Sequence, residues 1–86
     1  PMNQEINRIH WKCRRGMREI DLLLREFSQN KLDSLEQEDI RMLDDILDYD
    51  DQKLFDYIFK GVPIGLEEHE NFIDMYLKNF TQQGNF

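Results

Sequence analysis

Two side chains in this sequence could act on the same atom: His10 and Cys13, which would sit at i and i+3 on one helix. As a pair they suit a thiolate activated by an imidazole, or two ligands of a soft metal ion. Neither arrangement completes itself. The chain has a single cysteine and only one other histidine, His69, so no third group orients the imidazole and a four-ligand zinc site lacks its Cys–His pairs. There is no glycine-rich phosphate loop, no G-x-S-x-G and no H-E-x-x-H. Cys13 then reads as a small hydrophobe at a helix interface. No catalytic, cofactor-binding or metal-binding residue is assigned, and the residues that remain for function are those of a binder.

Those residues lie in the run "HWKCRRGMREIDLLL", positions 10 to 24. At 100° per residue, Met2, Ile6, Ile9 and Cys13 fall within about 60° of one another, and Trp11 points about 150–180° away from them. Arg8 and Arg15 fall within about 60° of Trp11 on that outer side. A tryptophan flanked by arginines has the composition of an interaction hot spot. The alternative is a Trp11 folded over a neighbouring helix beneath the arginine stems. The next five residues, Arg15-Gly16-Met17-Arg18-Glu19, also carry two readings. As structure, Gly16 takes the left-handed conformation that ends a helix, and Glu19 reaches back to the free amides at the next helix start. As function, Arg15, Arg18 and Glu19 present opposite charges at a rigid corner.

The elements that must hold this corner are all helical, since no run of β-branched residues suggests a strand. A first helix spans about 3 to 14. A second, about 17 to 29, buries Met17, Ile20, Leu23, Leu24 and Phe27. Ser34 and Gln37 read as a capping box opening a third helix to about 48, with Leu35, Ile40, Met42, Leu43, Ile46 and Leu47 as its stripe. Asp50 or Asp51 caps a fourth helix that ends at Gly61 and carries Leu54, Phe55, Ile58 and Phe59 inward. After the turn "GVPIG", a fifth helix from 66 to 80 presents Leu66, Phe72, Ile73, Tyr76, Leu77 and Phe80. The tail, about 81–86, is expected to fray. The expected fold is all-α, a compact bundle of five short helices in one domain over 1–86.

Composition narrows the partner. The chain is 40% hydrophobic and 34% charged, with a net charge of −7, which suits a folded domain with one modest core. Residues 1–31 carry seven Lys/Arg against four Asp/Glu; residues 32–86 carry four against fourteen. The acidic remainder would repel a phosphate backbone, so nucleic acid is a poor partner and a protein a better one. The carboxylates of the third and fourth helices read as a solvated face. No stretch approaches a membrane span, and the residues ahead of Arg8 show neither a signal core nor transit-peptide character. The lone cysteine suits a reducing compartment. The expectation is a soluble cytosolic protein of a bacterium, with Pro1 ahead of Met2 set aside as an addition.

The segment "RIHWKCRRGMREIDLLL" resembles the signature of the SdhE family of bacterial FAD assembly factors. The motif R-G-x-x-E stands intact at Arg15 to Glu19, after H-W-x-C-R and before Asp21 and its apolar run. "DSLEQEDIRMLDDIL" and "DDQKLFDYIF" are similar to later family segments, so the likeness covers about residues 8 to 60. Gln52-Lys53 replaces the family's usual Pro-Asp, and Tyr57 stands where Trp is frequent. The resemblance implies a five-helix protein that promotes covalent attachment of FAD to the flavoprotein subunit of succinate dehydrogenase, and of the related fumarate reductase. It implies that FAD is joined to a histidine of the client and is the client's cofactor, with none bound tightly here. It further implies that Arg15 and Glu19 bond the client, Gly16 allows close backbone approach, and Met17 and Trp11 are apolar anchors. Arg8, His10 and Arg18 form the rim, and the free protein is a monomer. Two other classes remain open: a small regulatory binder of another protein, and a flavin carrier that itself binds FAD.

Overall fold

A computed structural model describes residues 2–79, with side chains from Gln4 onward. Five helices follow in order: α1 (Met2–Lys12), α2 (Arg18–Lys31), α3 (Gln37–Ile46), α4 (Asp51–Lys60) and α5 (Glu67–Phe72). A 3-10 turn, Leu32–Ser34, follows α2, and α5 runs on into a π-helical turn, Ile73–Leu77. The described residues contain no strand, and none of their helices is long and apolar enough to cross a membrane.

Helix α2 is the centre of the packing. Its residues Ile20, Leu23, Leu24 and Phe27 recur at i, i+3, i+4 and i+7, so all four point one way and are buried. α1, α4 and the π-helical turn all pack against it, and α3 packs against α5. Ile9 and Cys13 from the α1 side, Leu43 and Ile46 from α3, Leu54 from α4 and Leu77 are among the residues that join them in the core. Each fully buried Leu, Ile or Phe contributes about 1.5–3 kcal/mol by removal from water. The radius of gyration, 12.1 Å, is the roughly 12 Å expected of a single packed domain this long.

Several ends follow the sequence. Asp50 caps α4, its Oδ1 accepting the Lys53 amide at 2.8 Å, and Gly61 ends that helix at φ 71°. Glu70 closes the turn between α4 and α5 by accepting the amides of Ile64 and Gly65 on one oxygen, at 2.7 and 3.1 Å.

Other expectations are overturned. Ser34 forms no capping box with Gln37. Leu32 is drawn fully into the core, the chain tightens into the 3-10 turn, and the Ser34 hydroxyl donates to the Lys31 carbonyl at 2.8 Å. The N-cap of α3 is Glu36, without a side-chain bond. Gly16 is not left-handed; among the described residues the glycines with positive φ are Gly61 and Gly65. α1 instead stops at Lys12 in a tightened turn, the Cys13 amide reaching the Ile9 and His10 carbonyls and the Arg14 amide the Trp11 carbonyl. Phe59 is 41% exposed, and Tyr57 is buried in its place. A buried tyrosine needs a partner, and the Tyr57 hydroxyl donates to Asp74 Oδ1 at 2.8 Å. Burial, and then Asp74, push that phenol up to about 12. Leu66 is exposed. Phe80, the 81–86 tail and the Met2 side chain lie outside the described residues.

Candidate partner-binding surface

Residues 13–17 form the corner between α1 and α2. Two carboxylates from elsewhere fasten its backbone. Asp21 Oδ1, in the first turn of α2, accepts the Arg15 amide at 2.7 Å; Asp51 Oδ2, first residue of α4, accepts the Met17 amide at 3.1 Å. These carboxylates take up amides left free around the helix start, the task expected of Glu19; α2 has no cap bond from its N-cap residue, Met17.

Arg15 does not stand beside Trp11. Its side chain, 12% exposed, turns inward. Nε donates to Asp51 Oδ1 at 2.7 Å, Nη1 to the carbonyls of Leu47 at 2.8 Å and Lys12 at 3.2 Å, and Nη2 to the carbonyl of Tyr49. One planar guanidinium therefore closes the C-terminal end of α3, the α3–α4 turn, the first residue of α4 and the last turn of α1. Burial alone would raise the Asp51 carboxyl, but Arg15 and the corner amides outweigh it and hold it below the usual carboxylate range. The expected outer position failed because the helical angle cannot be carried past Lys12, where α1 ends.

The other basic residues divide in the same way. Arg8 grips Asp44 with both terminal nitrogens, at 3.1 and 2.8 Å. Lys12 bonds Asp44 at 2.7 Å and Asp48 at 2.9 Å. Arg8 chiefly, with help from Lys12 and against burial, brings Asp44 down to about 2. So Asp44 of α3, Asp48 of the turn after it and Asp51 of α4 are not simply a solvated face; they pair with Arg8, Lys12 and Arg15.

Trp11, Arg14, Gly16 and Arg18 remain exposed. Trp11 is 69% exposed and so is not folded beneath arginine stems onto a neighbouring helix, and the Arg14 guanidinium stacks over its ring at 5.2 Å from the centroid. Arg14 was not singled out by the sequence reading, although its i, i+3 spacing from Trp11 was the available signal. Gly16 and Arg18 are exposed, while His10, Met17 and Glu19 are half-buried. The side chains of Arg18 and Glu19 make no hydrogen bond or ion pair to another described residue. A Cβ built on Gly16 meets only Asp51 Oδ2, at 3.9 Å, so the chain itself has room there. Cys13 is fully buried and burial raises its thiol to about 11, which leaves it unreactive.

One groove lies between the end of α2, the start of α3 and the π-helical turn, lined by Phe27, Lys31, Leu35, Glu36, Asp39 and Tyr76 among others. Two carboxylates against one lysine do not fit the pyrophosphate of FAD. No group of three or more His, Cys, Asp or Glu among the described residues is placed to hold a metal ion.

Fold and surface together define a small helical binding protein. Residues 7–81 match the family described as the flavinator of succinate dehydrogenase, reaching through α5 and beyond the segment the resemblance had covered. The chain is 40% identical over 68 residues to the FAD assembly factor SdhE of Legionella pneumophila (strain Paris), covering 79% of this chain and 80% of that protein. It is 39% identical over 75 residues to that of Serratia sp. (strain ATCC 39006), covering 84% and 85%. It is 38% identical over 63 residues to that of Coxiella burnetii (strain RSA 493 / Nine Mile phase I), covering 71% and 77%. No solved structure shows a significant match. The chain belongs to the succinate dehydrogenase flavinator family.

Proposed function

We propose that this protein is an assembly factor that binds the flavoprotein subunit of succinate dehydrogenase and promotes covalent attachment of FAD to it. Beside family membership, the observation that supports this reading is the corner itself: Gly16, Met17, Arg18 and Glu19 on a backbone fixed by Arg15, Asp21 and Asp51, with Trp11 exposed at the end of α1 before it. Flavin and client supply the chemistry, and this chain supplies binding and orientation. Holding two reacting groups in attack geometry is by itself a large source of rate.

Trp11 and Met17 are the apolar anchors, Arg18 and Glu19 supply charged hydrogen bonds, and Arg8 and His10 lie at the rim. Gly16 keeps the approach open to the client's backbone. Arg15 serves from behind, as the residue that holds the corner in shape. The flavoprotein subunit of fumarate reductase is a second client of the same surface, and one monomer, acting in the cytoplasm without catalytic residues or a tightly bound cofactor of its own, engages each.

The test is covalent flavin on the client subunit, read by in-gel fluorescence with and without this protein. Wild type should raise the signal; Gly16→Arg and Glu19→Ala should not, while keeping the wild-type thermal melt. Full flavinylation by both variants would remove the corner from the function.

A further inference from the structure

The N-terminal basic residues are not equivalent in what they have left to offer. Arg8, Lys12 and Arg15 are matched to Asp44, Asp48 and Asp51. Arg14 has only the face of Trp11, and Arg25 only an exposed i, i+4 contact with Asp21 at 3.2 Å, which leaves its terminal nitrogens uncommitted. Both belong to one groove between α1 and α2, lined by His10, Arg14, Arg25, Ser28 and Gln29. None of these lining residues is acidic, on a chain whose net charge is −7. Ser28 and Gln29 give the groove polar walls, and Arg14 joins it to Trp11.

We propose that this groove receives an acidic side chain of the client flavoprotein, held between the guanidinium groups of Arg14 and Arg25. Two observations favour a protein carboxylate over other occupants. The groove is continuous, through Arg14 on Trp11, with the surface assigned to the client. Its charge also complements an acidic segment that the carboxylate-rich remainder of this protein repels, so the groove fixes the orientation of docking as well as adding to its rate. Arginine suits the task, since its planar fork can grip a carboxylate with two parallel bonds. The inference rests on the client reading above.

The test compares wild type with the double variant Arg14→Gln/Arg25→Gln, measuring affinity for the FAD-loaded, not yet flavinylated flavoprotein subunit of succinate dehydrogenase. At about 50 mM salt the double variant should bind about tenfold more weakly, and at about 300 mM the gap should shrink to about two- to threefold. Thermal melts should agree, because only exposed contacts are lost. Independently of the client, a hexaglutamate peptide should shift the amide resonances of His10, Arg14, Arg25, Ser28 and Gln29 in wild type and not in the double variant. Equal affinity of the two proteins for the flavoprotein overturns the proposal. So does a groove that responds to pyrophosphate or FAD while the substitutions leave flavoprotein affinity unchanged, since that assigns it to the cofactor. If wild type itself does not bind the flavoprotein, the client reading fails, and the hexaglutamate titration alone decides whether the groove takes carboxylates.

Discussion

Arg15 and Asp51 form the joint on which the corner turns: Nε lies 2.7 Å from Oδ1, while the second oxygen of the same carboxylate receives the Met17 amide at 3.1 Å. One ion pair thus fastens the chain on both sides of Gly16. Substitution should act on stability first and on client binding through it. Arg15→Ala leaves Asp51 and the Leu47 and Tyr49 carbonyls short of a donor and should cost about 2–4 kcal/mol. Arg15→Lys should recover less than half of this, because a point charge cannot span acceptors on separate elements. Urea unfolding measures both. A stability loss below about 0.5 kcal/mol for Arg15→Ala would return the guanidinium to the exposed surface.

Gly16 separates the protein's own needs from the partner's. Its backbone is outside the left-handed region, and an added Cβ would make only an ordinary contact with Asp51. Gly16→Ala should therefore keep the wild-type fold and gain up to about 1 kcal/mol from a less flexible unfolded chain. Gly16→Arg should also fold, yet lose client binding. Melting curves beside client affinity decide this, and a molten Gly16→Arg protein would contradict it.

Trp11, the only tryptophan in the chain, reports on its own contact. Its emission in the free protein should be that of an indole in water, shifting to the blue when the client covers it. Trp11→Ala should leave stability within about 0.5 kcal/mol of wild type, as expected for an exposed position. It should weaken client binding by about 2 kcal/mol, roughly thirtyfold, as expected for a hot-spot anchor.

Asp44 gives the acid limb of stability a local origin. Arg8 chiefly, then Lys12, hold its carboxyl at about 2 against an ordinary value of 3.8. The carboxylate is favoured in the folded protein, so this stabilisation is complete above about pH 5 and is lost as pH falls through about 2. With Arg8 half exposed, and Lys12 and Asp44 each in partial contact with solvent, it amounts to about 1 kcal/mol after screening. Between pH 5 and 2, Asp44→Asn should lose about that much less stability than wild type, as read from urea midpoints across the range. Parallel curves for the two proteins would place the acid sensitivity elsewhere.

What the sequence revealed follows the reach of each signal. Helical periodicity placed Ile9, Cys13, Ile20, Leu23, Leu24 and Phe27 correctly in the core, because burial repeats with the helix. Asp50 and Gly61 were legible as helix ends because a cap depends on its immediate neighbours. Ser34 matched the same kind of local pattern and failed, since burial of Leu32 shifted the helix start. Hydrophobicity placed Phe59 inside and passed over Tyr57, whose hydroxyl finds Asp74 seventeen residues away. The pairings of Arg8, Lys12 and Arg15 with acids 36 residues further on, or with Asp44 at 32, had no local trace at all. The family motif identified the corner as a unit; only the geometry separates Glu19, half-buried without a hydrogen bond to another described side chain, from Arg15, which holds the corner from within.

The same joint sets when the surface can exist. Asp51 lies 36 residues beyond Arg15, so a chain still emerging from synthesis has the whole motif with only Asp21 in reach to fasten it. Until the α3–α4 turn has formed and delivered Asp51, with the Leu47 and Tyr49 carbonyls, the Arg15 guanidinium and the Met17 amide lack these partners. On the proposed function, binding competence would then be a proofread state: a client would meet a fastened corner only on copies whose folding has run at least as far as α4, and truncated or half-folded copies would not compete for it.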